Sequence, residues 1–186
     1  MPRSNKTKLP SPWAEFLGGL DALLPEHVEM HCIGGFVVSV FYGLPRPTAD
    51  IDYYCVQPVR CVNELEAMAG EGSPLATQHK VHLHYFSAHA LPEDYETRLV
   101  EMFPGRFKNL RLYSLDPYDL ILSKLERNST KDRDDVYYLA STLHLMPDVL
   151  RERYEKELRP YLTNESRHDL TLKLWVKSCF ESLSRK

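Results

Sequence analysis

Asp50 and Asp52 flank one apolar residue in a run, DIDYYCV, rich in β-forming types. A glycine pair, Gly34-Gly35, precedes them across one helix-length apolar segment. Strand alternation puts the two carboxylates on one face, about 6.6–6.8 Å apart along the chain. Two carboxylates on one face can hold a divalent metal, and hard oxygen donors suit Mg²⁺. A helix that opens on glycine can receive a phosphate on its free N–H groups. Arg46, in the turn before the acids, can grip a phosphate bidentately, and Thr48 adds a hydroxyl. Together these residues suggest chemistry on a metal-bound nucleoside triphosphate. Asp50 and Asp52 would bind metal, and Gly34, Gly35, Arg46 and Thr48 would bind nucleotide. The plainer alternatives are a tight turn at the glycines, solvated acids at a strand start and a surface charge at Arg46.

Other phosphate and metal motifs are missing. There is no GxxxxGK[ST] loop and no GxGxxG. Tyr54 stands where a DxDx[TV] phosphatase needs Thr or Val. The run Asp132-Arg133-Asp134-Asp135 lacks the spaced ligands and mid-loop glycine of an EF-hand. His79, His82 and His84 could be offered to zinc, but only His82 and His84 share a strand face and no cysteine accompanies them. Strand-face histidines are the favoured reading.

A second group of charged residues lies downstream. Asp132, Asp135, Val136 and Leu139 fall on one face of a helix expected over 130–143. Acids therefore lead the buried stripe. Asp135 could point into a site beside Lys124, or the acids could serve the helix start behind Ser129 or Thr130. Lys124, on the flank of the preceding helix, could reach a triphosphate or extend to solvent.

The elements that must position these groups follow from periodicity. Trp13, Phe16, Leu17, Leu20 and Leu24 recur at helical spacing after Ser11-Pro12. Strands are expected at 29–33, 50–56, 79–87 and 109–115, and helices at 35–43 and 59–69. The GEGSP segment reads as a loop. A helix is expected from Leu91-Pro92 onward, with Tyr95, Leu99, Met102 and Phe103 as its stripe. Asp116-Pro117 opens another, and the rest reads as helices at 130–143, 147–162 and 165–183. The fold class is thus α/β in the α+β sense: a small mixed sheet of about four strands, flanking helices and a C-terminal helical cap. The expected organisation is a flexible tail over 1–10, an α/β core over 11–115 and a helical region over 116–186.

Composition bounds the function. With 186 residues and 43% hydrophobic content, one domain with a real core is within reach. A net charge of −3 supplies no global field for nucleic acid, so any RNA contact needs a local patch. Arg106, Lys108, Arg111, Arg127, Lys131 and Arg133 are the candidates, with an ordinary solvated surface the plainer reading. No run approaches the ~18 apolar residues of a membrane span, and no apolar stretch follows the basic start as in a secretory signal. Cys32, Cys55, Cys61 and Cys179 form no CxxC and read as reduced thiols of a cytoplasmic protein.

Gly34-Gly35, Arg46-x-Thr48 and Asp50-x-Asp52 together resemble the nucleotidyltransferase superfamily, with its polymerase-beta-like fold. The stretch LDPYDLILSKLERNSTKDRDDVYYLA resembles the helical region of bacterial proteins related to AbiE-type and MNT-type toxin–antitoxin components. There a lysine on one helix precedes a basic-Asp-x-x-Asp opening of the next. The resemblance implies Mg²⁺-dependent transfer of a nucleoside monophosphate from an NTP to a hydroxyl of RNA, protein or a small molecule. It implies Asp50, Asp52, Lys124 and Asp135 as catalytic residues and a cognate antitoxin as a possible partner. Active members usually carry a third acid on a later strand; the matching strand here carries His82 and His84. Glycine at 35 also replaces a serine hydroxyl. Both departures imply the alternative of a catalytically impaired nucleotidyltransferase-like binding or regulatory module.

Overall fold

The computed structural model describes residues 9–86 and 90–181, which form two compact units. Residues 9–86 and 99–114 make a sheet unit, and 90–98 and 115–181 make a helical unit. Most of the tail expected over 1–10 lies outside the described residues. No described helix is long and apolar enough to cross a membrane.

The sheet unit opens with α1 (Trp13–Leu23), whose Trp13, Phe16, Leu17 and Leu20 are buried at the spacing expected of one helical face. Pro12 holds the N-cap position and no side chain caps it. β1 (Val28–Ile33) is buried at every position but Glu29. That fits its central place in a five-stranded sheet of order β3-β2-β1-β5-β4. β2 (Asp50–Gln57) runs antiparallel to β1, and β5 (Leu110–Ser114) runs parallel to it. β3 (His82–Tyr85) lies parallel to β2 at one edge. Between β1 and β2, the short helix α2 (Gly34–Phe36) widens over Val37–Phe41 before the turn to Thr48. α3 (Val62–Ala69) and α4 (Pro74–His79) precede β3.

The mixed α/β architecture agrees with the reading from sequence, and two local elements correct it. The stretch read as a loop and strand start holds α4, because Ser73 accepts a hydrogen bond from Ala76 N (3.1 Å) and Pro74 fits the first turn. The helix expected from 91 is absent. A short 3₁₀ turn (Tyr95–Arg98) leads into a fifth strand, β4 (Val100–Met102), antiparallel to β5 at the other edge. Pro104-Gly105, with Gly105 at φ 72°, turns the chain back toward β5 and stops any helix there. The carboxylate of Asp21 accepts the amides of Lys108, Asn109 and Leu110, which fixes the entry to β5.

In the helical unit, α5 (Pro117–Leu122) starts behind Asp116, whose carboxylate accepts from Tyr118 N. α6 (Thr130–Leu143) spans the residues expected. The helix expected over 147–162 is α7 (Pro147–Arg153), which widens over Tyr154–Leu158 and tightens at Arg159–Tyr161. α8 (Glu165–Trp175) continues as a wide turn to Glu181. Val136, Leu139, Leu150, Tyr154 and Trp175 are all buried.

Candidate active site

Asp50 and Asp52 alternate along β2 with Ile51 and Tyr53, which are fully buried, so the acids occupy the opposite, half-open face. The parallel register sets Asp50 opposite His82 and Asp52 opposite His84 on β3. Each acid has its own partner. The Thr48 hydroxyl donates to Asp50 Oδ1 at 2.8 Å. His84 Nδ1 lies 2.8 Å from Asp52 Oδ1. That hydrogen bond raises the pKa of the imidazole, against a partial burial that lowers it, with further help from the charges of Asp52, Asp50 and Glu66. Behind the face, burial and the Asp52 charge push the Cys32 thiol far up, so it is a neutral core group.

The glycine pair abuts these acids. Ile33, the last residue of β1, pairs with Asp52, and the chain then turns at Gly34 with φ 75°. A Cβ at Gly34 would run into the Asp52 carboxylate, with the Asp52 Cβ and Cγ only 3.1 Å away. Glycine is required twice there, for the turn and for the close approach. A Cβ at Gly35 would lie 3.2 Å from Thr48 Oγ1. A side chain at 35 would therefore crowd the Thr48 hydroxyl. Arg46 and Thr48 both line a cavity of about 600 Å³ beside the acids.

Lys124 and Asp135 lie in the helical unit, where they are paired with each other. Lys124 Nζ donates to Asp135 Oδ2 at 2.8 Å and sits 3.7 Å from Asp132 Oδ1, and all three side chains are buried. Arg127 grips Asp132 with Nε at 2.8 Å and Nη2 at 2.6 Å. Ser129 and Asp132 complete a reciprocal helix cap. Burial works to raise the Asp132 pKa, but Arg127, Ser129 and Lys124 outweigh it and hold the carboxyl far below the usual range. Arg127, a candidate for a basic surface patch, is exposed and also grips the buried Asp132. The charge order Arg127, Asp132 near a helix start was the available signal. Arg111, from the same patch, donates to the carbonyls of Phe107 and Leu110, and Arg133 to Asn128 O.

Residues 20–179 match the model of one protein family, described as a nucleotidyltransferase of unknown function (DUF6036). The chain belongs to that family. No curated protein and no solved structure matches it. Membership in this nucleotidyltransferase family points to a nucleotide as substrate.

The donor set also fits a metal that arrives with its substrate. Among the described residues no three His, Cys, Asp or Glu side chains cluster as a ready metal site. Mg²⁺ is commonly held by one or two carboxylates plus substrate phosphates, a share that Asp50 and Asp52 would supply.

Proposed function

We propose that the protein transfers a nucleoside monophosphate from an NTP to a hydroxyl acceptor in a Mg²⁺-dependent reaction. The observation that carries this reading is the contact of the Gly34 turn with Asp52, on a strand face where Asp50 and Asp52 are each steadied by a separate neighbour. When bound, Mg²⁺ would offset the charge of the triphosphate and of the departing pyrophosphate. Asp50 and Asp52 would hold it. The amides at Gly34 and Gly35 would meet phosphate oxygens, and Arg46 would add a bidentate grip. The acceptor oxygen forms the new bond to the α-phosphorus, the α–β bridging bond breaks, and the hydroxyl proton is released. Acceptors to test are an RNA end, a protein side chain and a small molecule. The resemblance of residues 115–140 supports a component of a toxin–antitoxin pair as the setting, with an antitoxin as partner.

His84 facing Asp52 favours a second reading, in which the cleft binds nucleotide without turning it over. Purified protein mixed with Mg²⁺, each labelled NTP, total RNA and a protein extract separates the two. Labelled acceptor, lost on Asp50→Ala with Asp52→Ala, supports transfer. Nucleotide bound with no label moved supports the binding module. Neither binding nor transfer overturns both readings.

A further inference from the structure

In the helical unit, α7 and α8 flank an open cavity of about 330 Å³. Each wall carries a widened turn. Tyr154 and Glu155 come from the wide turn that follows α7, and Val176 and Lys177 from the one that follows α8. Turns this wide are rare and recur at functional sites. Tyr154, Leu172 and Val176 are buried and form an apolar base. The charges around that base are unevenly answered. Asp169 accepts from the Tyr154 hydroxyl at 2.7 Å and from Arg159 Nε at 3.0 Å, and Glu155 lies 3.8 Å from the same guanidinium. The acids on the wall are thus met within the protein. Lys173 and Lys177 are exposed, and neither is in an ion pair among the described residues. Four positions apart, they share one helix face, where like charges repel. Arg151 lines the α7 wall and reaches the exposed Asp148 at 2.8 Å, a kind of surface pair worth little. The chain as a whole carries a net charge of −3, so this concentration of cations is local. Leu170 and Leu174, 58% and 54% exposed, stand one turn apart on the solvent side of the lysines. Apolar surface therefore continues along α8 beyond the cavity.

We propose that this surface docks an acidic segment of a partner protein. One apolar side chain of the segment seats in the cavity, its neighbours cover Leu170 and Leu174, and its carboxylates meet Lys173, Lys177 and Arg151. Charge complementarity selects the acids, and the exposed leucines select a segment longer than a small anion, which would leave them in water. A flat anionic membrane would not fill a hollow sunk between two helices. Residues 1–8 and 182–186, outside the described residues, carry arginine and lysine and no acidic side chain, so these ends of the chain offer no such segment. The inference goes beyond nucleotidyl transfer and does not rest on it, because every residue it uses lies in the helical unit.

The test titrates the full-length protein into three labelled helical peptides, followed by fluorescence anisotropy. One has a leucine stripe flanked by glutamates, one has the same stripe flanked by lysines, and one keeps the glutamates with alanine in the stripe. The first is expected to bind, more weakly as salt is added, and the other two are not. Lys173→Glu with Lys177→Glu is expected to weaken the acidic leucine peptide at least about tenfold and to let the basic one bind. Leu170→Ser with Leu174→Ser is expected to weaken the acidic peptide at least about fivefold. All four positions are exposed, so thermal unfolding of both variants should match the parent. No binding of the acidic leucine peptide to the parent, equal binding of the basic one, or binding unmoved in both variants overturns the proposal. Two further arms name the other occupants. Binding to phosphatidylserine vesicles in place of the peptide, lost on the lysine reversal, overturns it in favour of a membrane. A dimer in sedimentation that the lysine reversal disperses overturns it in favour of a second copy of this chain.

Discussion

In the sheet unit Asp50 and Asp52 are met by a hydroxyl and an imidazole on a half-open face. In the helical unit Asp132 and Asp135 are buried with Lys124, the exposed Arg127 reaches Asp132 from the surface, and their charge is answered on the spot. Both pairs arise from acids spaced to share one face of their element. What separates them is the partner. A carboxylate held by a neutral hydroxyl keeps its charge available to an incoming cation. A carboxylate buried against lysine and arginine has spent its charge on folding, and removing either side leaves an uncompensated ion in a low-dielectric interior. On the proposed reading the first pair is reactive and the second architectural.

The largest effect is expected from neutralising the open pair. If the acids hold the metal as proposed, Asp50→Asn with Asp52→Asn removes a contribution of several kcal/mol, which converts to a loss of about 10³-fold or more in transfer. Thermal unfolding is expected to stay near that of the parent, since neither acid is in the core. Retained transfer, followed by labelled acceptor, would break the assignment.

Next is the closed pair. Asp135→Ala leaves the buried Lys124 ammonium only the 3.7 Å contact with Asp132 and is expected to cost up to about 3–5 kcal/mol of stability, read by denaturant titration. Replacing both partners, Lys124→Met with Asp135→Leu, is expected to recover much of that loss. If transfer survives the double exchange, the pair is architectural; if it disappears from a well-folded protein, Lys124 or Asp135 belongs to the chemistry. The pH arm has a definite sign. The Asp132 carboxyl is depressed in the folded state below its ordinary 3.8, so its stabilisation is present above that value and fades as pH falls below it. The stability gap between parent and Asp132→Asn should therefore shrink with acidification below about pH 4.

The extent to which these regions were legible in the sequence follows from the range of their interactions. α6 was readable at both ends because its cap, Ser129 with Asp132, and its apolar spacing are local. The shared face of Asp50 and Asp52 was equally local, since strand alternation fixes it. β4 was misread because Tyr95, Leu99, Met102 and Phe103 fall at helical spacing, while the strand it pairs with lies across the Pro104-Gly105 turn. The His84–Asp52 bond depends on the parallel register of β2 and β3, and no residue type announces a register. Trp13, from a distant helix, shares the wall of the cavity that Arg46 and Thr48 line, and Lys124 meets Asp135 across a turn. In both the partner was hidden, although the residues themselves stood out.

A smaller effect tests why the open face stays open. Gly34→Ala places a methyl at φ 75° against the Asp52 carboxylate. The left-handed conformation alone costs about 1–2 kcal/mol. Denaturant midpoints should fall accordingly, and transfer should fall further than stability, because the carboxylate must move aside. A loss of stability with transfer intact would show that the contact between glycine turn and acid is a packing detail.

The smallest effect isolates the hydroxyl that donates to Asp50. Thr48→Val keeps the shape and deletes the donor to Asp50 Oδ1. One such hydrogen bond is worth about 0.5–1.5 kcal/mol net, which corresponds to about 2–10-fold in transfer. Thr48→Ser retains the hydroxyl and should restore most of the rate, which a purely steric role for the side chain would not permit. A further variant tests the space beside residue 35. The Thr48 hydroxyl lies 3.2 Å from where a Cβ at 35 would stand, so Gly35→Ser should be tolerated better with Thr48→Ala, which clears that position, than in the parent, read as unfolding midpoint and transfer rate together. Equal penalties in both backgrounds would mean that Thr48 steadies Asp50 without limiting what residue 35 can carry.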